Sequence, residues 1–385
     1  MTISIEAVRP DTLTDPAPAG PPPLPLPVLG RIAGVGTAVP ETSYTQQELL
    51  DSFEITDPRI RSVFLNSAID RRCLTLPPRL LDGTYAMEEQ GELLDKHKAQ
   101  AVEMGARALL ACLDDIGATL EDIRYLCCVT STGFLTPGLS ALVIRELGID
   151  RHCSRADIVG MGCNAGLNAL NAVTGWATAH PGELAIMLCA EACSAAYVFD
   201  GTMRTAVVNS LFGDGAAAIA VIGGDTVESE TAFGVPGVQV PRVHKFASCI
   251  VTDALDAMRY DWDSDQAKFS FFLDPAIPYV VGAHAEIVVG KLLAGTGLRR
   301  ADVAHWLVHS GGKKVIDAVM VNLGLTRHDV RHTTSVLRDY GNLSSGSFLF
   351  SYQRLLAEGV TRPGDYGVLM TMGPGSTLET ALVQW

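Results

Sequence analysis

The sequence has no run of apolar residues long enough to cross a membrane. A spanning helix needs about 20 such residues, whereas the longest runs, such as Ala216 to Ile222, are much shorter. Residues 1–30 lack the basic start and continuous apolar stretch of a secretory signal, and eight of the 20 prolines lie there. We therefore expect a soluble protein whose residues 1–30 form a flexible, proline-rich arm.

Positive charge is also scarce. The chain has 29 lysines and arginines against 43 acidic residues, which gives a formal net charge of −14. Nucleic acids and anionic membranes repel an acidic surface, so neither is expected as a partner. An anionic small ligand would need a locally basic entrance.

The nine cysteines show no metal-binding pattern. None forms a Cys-x-x-Cys pair, and no cysteine and histidine cluster has the spacing of zinc ligands. No Gly-x-Gly-x-x-Gly string opens a helix after a strand, so a dinucleotide site is not expected. The pattern indicates reduced thiols, a cytoplasmic location and no metal, flavin or nicotinamide cofactor.

Beyond the arm, helical and strand-like segments alternate, which is typical of an α/β fold. Two segments, 156–180 and 306–323, repeat one pattern of strand, glycine turn and helix. We interpret the repeat as two duplicated halves, 31–235 and 236–385. Glycine and proline become frequent near 223–243, which places the joint between the halves there.

Cys163 lies in the turn between the strand and the helix of the first repeat, within Gly-Met-Gly-Cys-Asn-Ala-Gly. A helix N-terminus offers partial positive charge and unpaired N–H groups, which lower a thiol pKa and bind an oxyanion. The turn therefore favours a nucleophile. A cysteine that only packs there is the alternative, and this segment alone does not decide between them.

Two further candidates lie in the second half. His309 ends a strand just before a glycine turn, and an imidazole in that position can reach a neighbouring site. Asn342 follows a glycine and precedes two serines, a pattern that is also typical of a helix N-cap. Spacing alone favours a helix N-cap for Asn342. By the same reasoning, Phe212 would be an ordinary core residue.

Together these strings resemble the type III polyketide synthases, the family of chalcone synthase. The resemblance rests on the cysteine turn, on His309 before a glycine pair, and on Tyr-Gly-Asn-Leu-Ser-Ser around Asn342. It extends from about Arg31 to the end of the chain. It implies an α/β, thiolase-like fold whose two duplicated halves form a five-layered αβαβα core.

The resemblance also implies six substrate-binding positions: Phe212, Phe271, Phe134, Leu135, Gly311 and Gly375. The first two match the family's gatekeeper phenylalanines, and the next two lie in a segment that the family varies to shape its cavity. The glycines belong to the pair after His309 and to the carboxy-terminal Gly-Pro-Gly loop. The arginines between 59 and 72 have no fixed register with the family's basic CoA entrance, so CoA contacts stay unassigned.

In the mechanism that the resemblance implies, Cys163 carries the growing chain and His309 is its imidazolium partner. His309 and Asn342 donate hydrogen bonds to malonyl-CoA as it loses carbon dioxide. Several strings, including Thr-Ser-Thr-Gly-Phe-Leu-Thr-Pro, resemble one branch that starts and extends with malonyl-CoA. That branch closes the chain by aldol condensation to 3,5-dihydroxyphenylacetyl-CoA or its acid. It implies no cofactor, a homodimer and a hydratase-like pathway companion.

Other classes fit part of the pattern. A ketoacyl synthase III uses the same trio but usually carries His-Gln-Ala-Asn, which is absent here. A cysteine-dependent α/β-hydrolase needs an acid between nucleophile and histidine, and it leaves the duplication unexplained. A non-catalytic scaffold on the same fold is the third alternative.

Overall fold

The computed structural model describes residues 26–196, 201–224 and 240–385. Most of the predicted arm and most of the predicted joint lie outside these ranges, so the boundaries of the arm and of the two halves stay predictions. No helix within the described ranges has both the length and the apolar character needed to cross a membrane.

The described residues form strands and helices in alternation. The strands are β1 (Gly30–Ala38), β2 (Ser43–Thr45), β3 (Arg71–Cys73), β4 (Ile123–Val129), β5 (Ser154–Ile158), β6 (Leu184–Glu191), β7 (Gly215–Ile222), β8 (Arg242–Ile250), β9 (Met258–Asp263), β10 (Lys268–Leu273), β11 (Val303–Val308), β12 (Tyr366–Gly373) and β13 (Thr377–Gln384). The α-helices are α1 (Gln46–Ser52), α2 (Pro58–Leu65), α3 (Gln90–Ile116), α4 (Leu139–Leu147), α5 (Ala165–Ala179), α6 (Met203–Leu211), α7 (Ile277–Leu293), α8 (Lys313–Leu323), α9 (Arg331–Tyr340) and α10 (Ser347–Glu358).

One nine-stranded mixed sheet has the order β11-β12-β13-β8-β1-β7-β6-β4-β5. In one half, β4 and β6 are parallel while β6, β7 and β1 are successively antiparallel. In the other half, β11 and β12 are parallel while β12, β13 and β8 are successively antiparallel. The same topology thus occurs twice, which confirms the predicted duplication. The predicted repeat of 156–180 and 306–323 is wrong in detail, because β11 corresponds to β4 and not to β5 in the sheet order.

Strand β6 shows why the sheet is buried on both faces. Its sequence, Leu-Ala-Ile-Met-Leu-Cys-Ala-Glu, is buried at every position, and successive side chains point to opposite faces of the sheet. On one face, Leu184, Ile186, Leu188 and Ala190 belong to a hydrophobic cluster with residues of α3, called here the α3 cluster. On the other face, Ala185, Met187 and Cys189 belong to a cluster with residues of α5 and α10. Each leucine or isoleucine buried in this way contributes about 1.5–3 kcal/mol.

The helices complete a layered architecture. Helix α3 packs on β1, β6 and β7, and α7 packs on β8 and β13. Helices α5 and α10 lie between the two halves of the sheet and contact strands of both. The order helix, sheet, helix pair, sheet, helix confirms the predicted five-layered thiolase-like core.

Candidate active site

Cys163 lies in a 3-10 turn, Gly162–Asn164, that leads directly into α5. Gly162 has a φ of 66°, and a Cβ there would lie 2.4 Å from Cδ of Pro374. Glycine is therefore required before the cysteine, both by the backbone angle and by the packed loop. Cys163 is 8% exposed, and its Sγ lies 3.5 Å from Oγ of Ser344.

The Gly-Pro-Gly loop between β12 and β13 packs against the cysteine turn. A Cβ on Gly373 would lie 2.3 Å from Oδ1 of Asn164, so this approach also requires glycine. Gly375 has a φ of 71° and lies further along the loop, where the nearest neighbours include Leu255. Gly375 shapes the loop, while Gly373 and Pro374 contact the cysteine turn.

Asn342 lies between α9 and a second 3-10 turn, Ser344–Gly346, which precedes α10. Its backbone N–H donates to Leu211 O at 2.8 Å, and its C=O accepts from the Gly213 N–H at 3.0 Å. These bonds flank Phe212, which forms a parallel bridge with Asn342. The backbone of the asparagine is therefore held from both sides.

The side chain of Asn342 is fixed at one end. Its Oδ1 accepts a hydrogen bond from the Ser344 N–H at 2.8 Å, which is the local turn that the spacing favoured. Its Nδ2 donates to no group in the described part of the chain. The amide is thus oriented with its donor end available.

His309 follows β11 and is fully buried, at 1% exposure. Its N–H donates to Met370 O at 2.7 Å, and a Cβ on Gly311 would lie 3.0 Å from its Cδ2. The next residue, Ser310, donates through Oγ to Gly341 O at 3.4 Å. The histidine is thereby placed beside the segment that carries Asn342. Within the described ranges, its Nδ1 has no hydrogen-bond partner.

The two predicted gatekeepers meet. The rings of Phe212 and Phe271 are edge to face, with centroids 5.9 Å apart, and both belong to one hydrophobic cluster with Cys163. Phe134 is 75% exposed instead, and Leu135 packs against the α3 cluster. The structure therefore links Cys163 to Asn342 through Ser344 and groups the gatekeepers with the cysteine, but it does not bring the residues at 134 and 135 to them. The catalytic and substrate-binding roles stay predictions.

The sequence patterns did not identify Glu191, a fully buried acidic residue near the site. It accepts hydrogen bonds from the N–H and Oγ of Ser131, at 2.8 and 2.9 Å, and from Oγ of Ser345 at 2.5 Å. Ser131 Oγ lies 3.1 Å from Ser344 Oγ, so a chain of polar contacts runs from Glu191 to Cys163. The sequence signal that could have identified Glu191 is a single acidic residue at the end of the otherwise apolar strand β6.

Burial controls the protonation of the site. It raises the pKa of Cys163 to about 12, although the hydrogen bond with Ser344 acts in the opposite direction. It lowers the pKa of His309 to about 3. Both groups are therefore neutral near pH 7, so the expected imidazolium state of His309 is wrong, because burial disfavours the charged ring. The expectation that the thiol pKa is lowered is wrong here, because desolvation raises it more than the hydrogen bonds at the turn lower it.

The chain matches two family models. Residues 29–226 match the N-terminal domain of chalcone and stilbene synthases, and residues 261–385 match the C-terminal domain. A relative from Amycolatopsis balhimycina, named 3,5-dihydroxyphenylacetyl-CoA synthase, is 76% identical over 92% of this chain and 93% of its own length. A relative of the same name from Streptomyces toyocaensis is 73% identical over 94% and 92%.

The chain is also similar in fold to solved structures. PKS-I from the brown alga Ectocarpus siliculosus has a TM-score of 0.84 and 26% identity, over 93% of this chain and 98% of that one. The 1,3,6,8-tetrahydroxynaphthalene synthase of Streptomyces coelicolor, a bacterial type III polyketide synthase, has a TM-score of 0.81 and 28% identity, over 92% and 99%. As the sequence predicted, the chain belongs to the chalcone and stilbene synthase family, the type III polyketide synthases.

Proposed function

We propose that this chain makes 3,5-dihydroxyphenylacetyl-CoA by condensing malonyl-CoA units, which serve as both starter and extender. The relatives that carry this name are 73% and 76% identical to it. The observation that carries the proposal is the contact between two distant turns. Ser344 lies 3.5 Å from the Cys163 sulfur, and its N–H donates to Asn342 at 2.8 Å.

The reaction begins by loading Cys163. Its thiol attacks the thioester carbonyl of the starter while His309, neutral in the free site, accepts the proton. CoA leaves as a thiolate and takes that proton, so the imidazole returns to its neutral form. The buried, apolar setting of Cys163 keeps water away from the acyl thioester that results.

Extension uses the two donors of the second half. The Asn342 amide and the imidazole N–H of His309 donate to the thioester oxygen of malonyl-CoA, where negative charge develops as carbon dioxide leaves. The resulting enolate carbon attacks the Cys163 thioester, and the new bond transfers the chain to the CoA of the extender. The cysteine thiolate is released and takes up the longer chain again.

Repeated cycles give a chain of four two-carbon units, and aldol closure with loss of water forms the ring. The edge-to-face pair of Phe212 and Phe271 forms an apolar wall beside the cysteine, which confines the chain without supplying charge. The CoA thioesters supply the chemistry, so no cofactor takes part. A homodimer and a hydratase-like companion that assists dehydration belong to the same proposal.

Membership of the family supports this function over the alternatives. A ketoacyl-synthase-III-like enzyme and a cysteine-dependent α/β-hydrolase both lack support from the two matched domains, which span residues 29–226 and 261–385. Neither alternative explains relatives at 76% identity that carry the name of a polyketide product.

Incubation of the purified protein with labelled malonyl-CoA as sole substrate tests the proposal. Mass analysis is expected to identify 3,5-dihydroxyphenylacetate, free or as its CoA thioester, with all ring carbons labelled. The Cys163→Ala protein is the control and is expected to give none. A requirement for a different starter, or an unrelated pyrone as sole product, would contradict the proposal.

A further inference from the structure

Arg72 is a cation buried directly behind the active site. It lies in the middle of β3, between the exposed Arg71 and the buried Cys73, and it is 1% exposed. Burial lowers the pKa of Arg72 to about 9, so the guanidinium remains charged near pH 7. Taking a cation out of water costs several kcal/mol unless partners compensate, and its position therefore requires an explanation.

The hydrogen-bond acceptors of Arg72 are carbonyl groups, and the buried Asp214 acts on it through its charge. Its Nη1 donates to Phe212 O at 2.7 Å, and its Nη2 donates to Oε1 of Gln46 at 2.9 Å. Gln46 in turn donates through Nε2 to Ser210 O at 2.7 Å. Arg72 and Gln46 thus hold two carbonyls at the C-terminal end of α6, where the helix dipole is negative and favours a cation.

The same carbonyls adjoin the bridge that positions Asn342. The Asn342 N–H donates to Leu211 O, and Gly213 donates back to Asn342 O, so Phe212 lies between the two bonds. The stem of Arg72 also packs against Gly341, where a Cβ would lie 2.8 Å from Cδ of Arg72. The arginine therefore contacts both strands of the bridge.

The contacts are not those of a side chain kept for stability alone. The buried Nε of Arg72 has no hydrogen-bond partner among the described residues, and the nearby charge of Asp214 does not offset the effect of burial on the pKa of the guanidinium. An incompletely paired buried cation is a poor source of stability. What the guanidinium supplies is a planar fork that fixes two acceptors relative to each other.

We infer that Arg72 is a positioning residue, which sets the Asn342 amide and the Phe212 ring in the geometry needed for decarboxylation. It touches neither the thiol nor the substrate, and it acts through the Phe212 carbonyl and Gly341. The inference rests on the proposed function. It assigns to β3 a role in the extension step that is separate from the loading of Cys163.

The test compares two steps of the reaction in Arg72→Lys. Lysine keeps the charge but cannot reach both acceptors. We expect kcat for malonyl-CoA decarboxylation to fall by about 10- to 100-fold, KM to change by less than about threefold, and alkylation of Cys163 to be unchanged. Arg31→Lys is the matched control, since Arg31 is also buried, at 3% exposure, and donates to Gly224 O in a remote part of the sheet.

A decarboxylation rate equal to that of the parent overturns the inference, as does an equal loss of alkylation and decarboxylation. If Arg72→Lys does not fold, Gln46→Met decides, because it removes one acceptor and leaves Arg72 in place. Slower decarboxylation with unchanged alkylation of Cys163 then supports the inference. An unchanged ratio of the decarboxylation rate to the alkylation rate overturns it. A parent protein that does not decarboxylate malonyl-CoA refutes the proposed function instead.

Discussion

The two central helices begin in the same way but carry different chemistry. Each follows a 3-10 turn, Gly162–Asn164 before α5 and Ser344–Gly346 before α10, and each precedes the corresponding strand of its half. The first turn carries the proposed nucleophile, Cys163, and the second carries the Ser344 hydroxyl next to the fixed Asn342 amide. Duplication has thus brought two helix N-termini to one point, where their partial positive charges favour an oxyanion.

Removing the nucleophile is expected to have the largest effect on this division of labour. Cys163→Ala should abolish acyl loading and reduce product formation by at least about 10³-fold, because no other group forms the thioester. Trapping of labelled acyl-enzyme and product analysis measure both. Cys112→Ala is the control, since Cys112 is equally buried but lies in the α3 cluster. Chain extension at the parental rate in the variant at 163 would disprove the assignment.

Removing the amide should affect the other half of the reaction. Asn342→Ala is expected to slow malonyl-CoA decarboxylation by about 10²–10³-fold, the usual cost of losing one oxyanion donor, with acyl loading close to normal. Release of labelled carbon dioxide and acyl-enzyme trapping separate the two steps. Asn322→Ala removes a similar but exposed amide, which bonds Ala318 O, and should change neither step. Equal losses in both steps would show that Asn342 is structural.

The protonation state of the Cys163 thiol gives a third comparison. Because burial raises the pKa of Cys163 to about 12, its thiolate is scarce near pH 7 in the free protein. The alkylation rate should therefore rise about tenfold per unit between about pH 7 and 9. The measurement uses a Cys249→Ser background, since Cys249 is partly exposed. A rate that stays flat from about pH 6 to 8 would reveal a preformed thiolate and imidazolium pair instead.

The smallest effect concerns stability, because burial keeps His97 in one half and His309 in the other half neutral. Burial lowers the pKa of His97 to about 4 and that of His309 to about 3. The unfolded chain binds protons below about pH 6.5 whereas the native site does not, so stability is present above that pH and is lost as pH falls. Each histidine should cost about 1 kcal/mol between about pH 7.5 and 5.5.

Urea denaturation at both pH values measures that loss. In His97→Gln the decline between the two pH values should be smaller than in the parent, since His97 no longer contributes to it. A decline of unchanged size would mean that His97 is not neutral in the native protein.

Much of the local structure of the site was predictable. Gly162 requires a positive φ, and such glycine-bounded turns are visible in the sequence. The ends of β11 and α5 were likewise predicted by hydrophobic patterning. Local order of this kind depends on neighbours within a few residues, which a single sequence contains.

The contacts between turns were not predictable. Ser344 lies 181 positions from Cys163, and in the sequence it only began a helix. Arg72 looked like one of several basic residues near a ligand entrance, whereas it faces inward, at 1% exposure. The pKa direction of Cys163 was also wrong, because desolvation depends on the surrounding core and not on the helix that follows.

The sheet is weakest where its halves meet, since β1 and β8 pair at two positions, Gly30 with Val243 and Arg31 with Arg242. The relative placement of the halves therefore depends mainly on the layer of α5 and α10. Within that layer, a Cβ on Gly166 would lie 2.4 Å from Ser345 O. A single added methyl group at Gly166 would push the two turns apart, so the alignment of sulfur and amide is decided in the apolar interior.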